Sequence, residues 1–470
     1  MNQQENLRYI EELWDNSILP SLAEYVKIPA KSPLFDPNWA ANGYVDEAVE
    51  VMLEWVRKQD VPGLRINVHR LPGRTPTILI ILDGDTDETV LIYGHLDKQP
   101  EFSGWEEGLE PFKPVFRDDK LYGRGGADDG YAIYSAIATI KSLRAQQLTL
   151  PRTVILIEAS EESGSPDLPF YMDELEDSIG KPGLVIALDS TAGNYDQLWV
   201  TTSLRGMLIA DLTVKVLTEG VHSGAAGGIV PSSFRLLRQI ISRLEDEETG
   251  VILPDFLNEQ VPDIRRREAI EAGKVLSNTF EDMYPFAGNG KPLFDDPTEL
   301  VLNNTWAGSL AVTGLGGAPS PVDAGNVLRP ATTARLALRI PPTIDEKAAA
   351  DSLKKLLTEE APNGAEVIVE MHEPCAGWHA PNMTASLRAS LSRASTAYFG
   401  SDAMYIGCGG SIPFMEFLAN KFPEAQFVVT GLLGPRSNAH GPNEFLHIPC
   451  AKKITAVIAA VLYDWASQKN

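Results

Sequence analysis

The sequence predicts an α/β protein: a catalytic domain with a mostly parallel sheet and helices on both faces, plus an inserted α+β domain. Three observations carry this. Short runs apolar on both faces recur along the chain, as strands buried between two helix layers do. Helical stretches separate them. Between about Arg205 and Gly377 the texture changes to strict alternation of apolar and polar residues, and afterwards the first pattern resumes. One domain inserted into another accounts for this with the fewest assumptions. The expected bounds are 1–204 and 378–470 for the catalytic domain and 205–377 for the insert. A length of 470 residues suits two or three domains at about 150 each.

The elements follow in order. Leu7, Ile10, Trp14 and Ile18 fall at helical intervals within Glu5 to Ile28, and Pro20 should kink or break that helix. Val45 to Lys58 fits a second helix. Thr77–Leu82, Thr89–Tyr93, Thr153–Ile157, Leu184–Leu188 and Phe427–Thr430 are the buried strands, with a helix over Tyr131 to Leu143. In the insert, Met207–Val216, Thr333–Arg339 and Glu366–Met371 alternate as strands of a sheet with one wet face. Ser232 to Leu244 and Glu346 to Leu357 are helical there. The acidic run Glu245 to Glu248 reads as a solvated helix end.

Charge and cysteine content narrow the function. Forty basic against 64 acidic residues give a formal charge of −24, which disfavours broad binding of nucleic acid or an anionic membrane. The start of the chain lacks a basic segment followed by an apolar one, and the run Ile454 to Tyr463 is too short to span a bilayer. Three cysteines, Cys375, Cys408 and Cys450, form no CxxC pair. Reduced thiols in a cytoplasmic protein are the expectation.

The chemistry gathers at strand ends. Gly94-His95-Leu96-Asp97 follows one buried strand, and Glu158-Ala-Ser-Glu161-Glu162 another. Asp189-Ser190 follows a third. Gly123-Arg-Gly-Gly-Ala-Asp128-Asp129-Gly130 precedes a helix, and Ser437-Asn-Ala-His440-Gly441 follows the last strand. In an open α/β sheet, ligands bind beyond the carboxyl ends of the strands. His95, Asp97, Asp128, Glu161, Glu162, Asp189 and His440 therefore face one crevice. Singly, each has a plain reading: a hydrogen-bonded core histidine, a helix N-cap, a solvated acidic pair. Together, that many acids and imidazoles need a cation. His69, His372, His379 and His447 lack such partners and read as structural or surface residues.

The motifs GHLD, YGRGGADD, EASEESGS, LDS, VHSG, CGGSIP and SNAHGPNE resemble the dinuclear zinc dipeptidases of the carnosinase and cytosolic nonspecific dipeptidase type, within a larger set of aminoacylase and carboxypeptidase relatives. The resemblance runs from the first helix to the last. It implies two divalent ions, zinc in the first place, although manganese or cobalt suits the same ligands. One ion would take His95, Asp189 and Asp128, the other Glu162, His440 and the shared Asp128. Three carboxylates and a bridging hydroxide balance two divalent cations, so the cluster can be buried. Glu161 is implied as general base, and Asp97 as the acceptor that orients the His95 ring. A cis peptide between Asp128 and Asp129 is implied as well.

The resemblance also assigns the insert as a lid and dimerisation domain. His222 would reach across a homodimer to the oxyanion in the partner's active site. Arg339 would pair with the free C-terminal carboxylate of a short peptide substrate, with Gly410 and Ser411 contacting the same group and Asn326 near it. The implied activity is hydrolysis of dipeptides or similar short substrates. An N-acyl-amino-acid deacylase or carboxypeptidase-like amidase is the nearest alternative, and a non-catalytic metal-binding homologue a more distant one. The chain departs from its relatives at Gly407-Cys408, where they carry Arg-Glu, at Lys98, and through Pro319 to Asn326. The first departure removes a charge at the substrate end. Cys408 reads as a packed thiol or as an extra soft ligand.

Overall fold

The structure is a computed structural model; it describes residues 1–467 apart from Asn278 and Pro285. Its main sheet has nine strands. Eight lie in the order Arg65–His69, Thr77–Leu82, Pro151–Glu158, Thr86–His95, Pro182–Ala187, Gln426–Val429, Trp199–Leu204 and Trp378–His379, and Met404–Cys408 also pairs with Trp199–Leu204. The four strands from Pro151–Glu158 to Gln426–Val429 are mutually parallel. Thr77–Leu82 runs antiparallel to Pro151–Glu158, and Arg65–His69 antiparallel to Thr77–Leu82.

The pleat explains the doubly apolar runs. Ile78, Ile80, Ile92, Ile155 and Ile157 face one side, against helices Tyr44–Lys58, Ala132–Ala145 and Ile448–Ser467. Leu79, Ile81, Leu91, Val154 and Leu156 face the other, against helices Leu168–Glu174 and Pro413–Lys421. Each such side chain, fully buried, contributes roughly 1.5–3 kcal/mol. Helices on both faces are as expected.

The N-terminal helix is not broken at Pro20. Helix Gln3–Leu13 runs into a π-turn, Trp14–Ile18, and resumes as Leu19–Val26. Proline cannot donate to the carbonyl four residues back, and the ladder widens just before it, with Leu19 N–H reaching Trp14 O.

After Trp199–Leu204 the chain leaves this sheet. It builds a four-stranded antiparallel one in the order Ser309–Gly316, Ala331–Ile340, Gly206–Lys215 and Glu366–Met371. Leu208, Ala210, Leu212, Leu336 and Leu338 pack under helices Ser233–Ile241 and Glu346–Thr358. The opposite face is wet, where the Arg335 guanidinium donates twice to Asp211 at 2.7 Å. Ser309–Gly316 lacks the alternation seen in its neighbours and carries an irregularity between Val312 and Gly314. No described helix is long and apolar enough to cross a membrane.

Candidate dinuclear metal site

The parallel strands end on one side, and their last residues deliver the site. His95 closes Thr86–His95, Glu158 closes Pro151–Glu158, and Asp189 lies two residues beyond Pro182–Ala187. Gly94 permits the approach of the next element: a Cβ there would collide with Ala132 Cβ and sit 2.6 Å from Asp129 Oδ2. That lets the loop bearing Asp128 close onto the strand. The Asp128–Asp129 peptide is cis.

Asp128 stands between two histidines. Its Oδ1 is 3.2 Å from His95 Nε2 and its Oδ2 is 3.1 Å from His440 Nε2. Asp189 lies 3.7 Å from the same His95 nitrogen, and Glu162 lies 3.3 Å from the same His440 nitrogen. Two triplets thus offer ligand atoms all within 4.8 Å of one another: His95, Asp128 and Asp189, and Asp128, Glu162 and His440. Glu162 Oε1 is buried with no hydrogen-bond partner. An orphaned carboxylate oxygen in a cage of acids and imidazoles fits two cations sharing Asp128.

Without cations the charges are in conflict. Burial, and then the Asp128 charge, push Asp189 up to about 6 and Glu162 up to about 8. Glu161 is raised well above the usual carboxylate range by burial and by Asp189. Burial would lower His440, but Asp128 and Glu162 outweigh it and hold the imidazole up at about 9. His95 is raised in the same way by Asp128 and Asp97. A divalent ion would displace these protons.

Asp97 has a second task beside the one expected. The His95 Nδ1 sits 3.0 Å from the Asp97 backbone oxygen, whereas the carboxylate is 3.5 Å away. The carboxylate oxygens accept the backbone N–H groups of Glu161 and Glu162, at 3.1 and 3.0 Å. Two residues of separation let the backbone carbonyl reach the ring first, which frees the side chain to hold the glutamate turn. Glu161 Oε2 lies 4.0 Å from His95 Nε2.

Arg124, Glu444 and Gln99 shape the site without having been singled out. The Arg124 guanidinium donates to Glu444 and to the backbone oxygens of Ala439 and Gly441, on either side of His440. Gln99 donates to Glu162 Oε2 at 2.6 Å. Lys98 lies in the interior, where its ammonium donates to the Tyr25, Val26 and Ile28 carbonyls at the end of helix Leu19–Val26.

The expected substrate residues fall in two places. Arg339 Nη1 donates to Ser411 Oγ at 2.9 Å, and Ser411 donates to the Arg205 carbonyl at 2.6 Å. Gly410 N–H points to Cys408 Sγ at 3.4 Å. Cys408 belongs with this group and not with either ligand triplet. His222 and Asn326 sit together elsewhere: both are exposed, and Ser223 N–H donates to Asn326 O at 2.9 Å. Of the remaining histidines, three have side-chain neighbours, whereas His69 Nε2 is buried with no hydrogen-bond partner. His372 meets Asp211 at 3.0 Å, His447 stacks on Tyr195, and His379 abuts Trp306 edge-on.

Residues 91–464 match the model of peptidase family M20/M25/M40. The chain belongs to that family. It is 28% identical over 419 residues to a cysteinylglycine-S-conjugate dipeptidase of Corynebacterium striatum, covering 86% of this chain and 88% of that one. It is 27% identical over 355 residues to the human Beta-Ala-His dipeptidase, covering 73% and 68%. The fold matches the di-peptidase Dug1p of Saccharomyces cerevisiae with a TM-score of 0.77 at 21% identity, over 100% of this chain and 99% of that one. Human carnosine dipeptidase 1 superposes with a TM-score of 0.74 at 22% identity, over 99% of each chain. This M20-family peptidase therefore shares its catalytic scaffold with named metallodipeptidases.

Proposed function

We propose that this M20-family enzyme hydrolyses the amide bond of dipeptides or similar short substrates that end in a free carboxylate. The observation that carries the reading is the pair of ligand triplets sharing Asp128. His95, Asp189 and Asp128 would hold one divalent ion, and Glu162, His440 and Asp128 the other, with zinc favoured. The ions, when bound, supply Lewis acidity to the scissile carbonyl and acidify the attacking water.

The chain's own residues do the rest. Glu161, set beside both triplets but belonging to neither, takes the proton from the attacking water and returns it to the leaving nitrogen. Asp97 fixes the turn that bears Glu161 and Glu162. Arg339 binds the substrate carboxylate, with Ser411 holding the guanidinium in place and Gly410 beside it. Residues 205–377 act as a lid and dimerisation domain. His222, exposed next to Asn326, serves the oxyanion of a partner subunit in a homodimer. The three unpaired thiols suit a cytoplasmic enzyme.

The test is turnover of a dipeptide panel by protein reconstituted with defined metals, alongside Glu161→Gln. That variant should keep two metal equivalents and lose roughly 10²–10⁴-fold in kcat. Full activity would remove Glu161 as base. A fully active monomer in sizing experiments would refute the role of His222 across the interface.

A further inference from the structure

Lys98 is a buried cation held by neutral groups. Its side chain is 0% exposed. The ammonium spends its three protons on the Tyr25, Val26 and Ile28 carbonyls, at 2.9, 3.3 and 2.8 Å. Burial pushes its pKa well down; Glu444 favours the charge from further off, and Arg124 opposes it. An apolar side chain of similar length would avoid that desolvation cost. The reason for a lysine lies in what its contacts hold.

They hold the loop that bears Asp128. That loop, Gly125 to Gly130, is closed by the Gly130 N–H donating to Gly125 O at 3.0 Å. One end rests on Lys98: Gly125 has φ +84°, and a Cβ there would sit 2.6–2.8 Å from Lys98 Cε, Cδ and Cγ. The other end rests on Tyr25, whose Cε1 a Cβ on Gly130 would strike. The two supports are joined. The Lys98 ammonium lies 4.0 Å from the centre of the Tyr25 ring and also bonds the Tyr25 carbonyl. The Tyr25 hydroxyl donates to Leu96 O at 2.8 Å, one residue past His95. The lysine backbone adds a further tie. Its N–H donates to Ala30 O and its carbonyl accepts the Ser32 N–H, both at 3.0 Å. Ser32 Oγ lies 2.5 Å from Ser163 Oγ, next to Glu162.

We propose that Lys98 is a positioning residue for the bridging carboxylate: its stem, and the Tyr25 ring it anchors, form the floor on which the Gly125–Gly130 loop sets Asp128 between the two ions. The inference rests on the dinuclear hydrolase reading above and adds to it a residue outside both triplets. Without the ammonium, the carbonyls at the helix end lose their donor, the Tyr25 ring loses its anchor, and both ends of the loop lose support. Because Asp128 serves both ions, both should weaken together. Arg339 is no part of this floor, so binding of the substrate carboxylate should hold.

Zinc itself is the probe. Competition with a chromophoric chelator, on the intact folded chain, should show two equivalents bound by the parent. Lys98→Met keeps a stem against Gly125 and removes the ammonium. It should weaken both equivalents in step, at least about tenfold, and lower kcat for a dipeptide at least about tenfold with KM within about threefold. Gln99→Leu is the contrast: Gln99 donates to Glu162, so its loss should weaken one equivalent more than the other. A Lys98→Met protein that melts lower but shows smaller effects on zinc and on kcat has lost only fold stability, and the proposal falls. A loss confined to one equivalent, or carried by KM, overturns it equally. Should Lys98→Met not fold, Lys98→Gln keeps a donor near the helix end and is decided in the same way at about threefold. A parent that binds two zinc ions yet cleaves no dipeptide sinks the hydrolase reading, while the zinc titration still decides the role of Lys98. A parent that binds no zinc overturns both.

Discussion

Glu444→Gln isolates the contact that holds His440 in place. The Arg124 guanidinium and the Glu444 carboxylate lie 2.7 Å apart with side chains 1% and 0% exposed. Glu444 also accepts the Gly125 N–H on both oxygens, at 3.0 and 3.1 Å, and so ties the Asp128 loop to the His440 loop. Burial pushes Glu444 up to about 7 while Arg124 pulls against it, so the measurement belongs near pH 8, where the carboxylate is charged. Glutamine keeps the size and removes the charge. It leaves a buried guanidinium facing only carbonyls and turns an amide donor towards it. Removing one partner of a buried pair costs about 3–5 kcal/mol. The exposed Arg65–Asp83 pair is the control, since its side chains are 51% and 67% exposed and solvent screens it. Urea unfolding of metal-loaded protein should separate Glu444→Gln from Asp83→Asn by at least about 2 kcal/mol. Because both carbonyls flanking His440 hold Arg124, the variant should also retain less than two equivalents of metal. A Glu444→Gln protein that unfolds within about 1 kcal/mol of the parent and keeps both ions refutes the reasoning.

Two further outcomes follow from the same coordinates. In metal-free protein, Asp189 and Glu162 are raised to about 6 and about 8, and His440 to about 9, so the folded state holds protons that the unfolded chain has released. Stability of the apo form should therefore fall as pH rises from about 4 to about 9, while bound cations remove the trend; thermal melts with and without chelator check this, and an apo melting point that climbs over that window contradicts it. Arg339→Lys keeps the charge but loses the two-pronged grip on a carboxylate, so KM should rise about 10–100-fold with kcat little changed. Steady-state kinetics decide it, and an unaltered KM would take Arg339 out of substrate binding.

What could be read without coordinates follows from how local each signal is. The parallel strands announce themselves because both faces are buried, which forces runs such as Thr77–Leu82 to be apolar throughout. The alternation in Gly206–Lys215 is equally local, and its burial pattern alternates strictly. Ser309–Gly316 was not legible: its pairing comes from Ala331–Ile340, and its own residues, with two glycines and a shifted register, show no period. Arg65–His69 was missed for a similar reason, since an edge strand with no fully buried residue leaves little apolar pattern. Residues that bear chemistry at strand ends were legible because topology alone brings strand ends together. Partners such as Arg124 and Glu444 stood inside motifs already noticed, but 320 residues apart, and no spacing rule links a buried arginine to the glutamate it neutralises.

Asp97 shows the limit from the other direction. Its position two residues after His95 pointed to the imidazole, and the structure gives that place to its backbone oxygen. The carboxylate went where donors were in surplus, to the two free N–H groups opening the turn at Glu161 and Glu162. This matters for the chemistry, because one carboxylate fixes the backbone at Glu161 and Glu162 while its charge still stands 3.5 Å from the His95 ring. Glu161 then stands poised by geometry, and its raised affinity for a proton comes from burial and from Asp189. The base role proposed for Glu161, accepting a proton from water and releasing it to an amine, needs both: a fixed position, and an environment that makes the neutral acid tolerable.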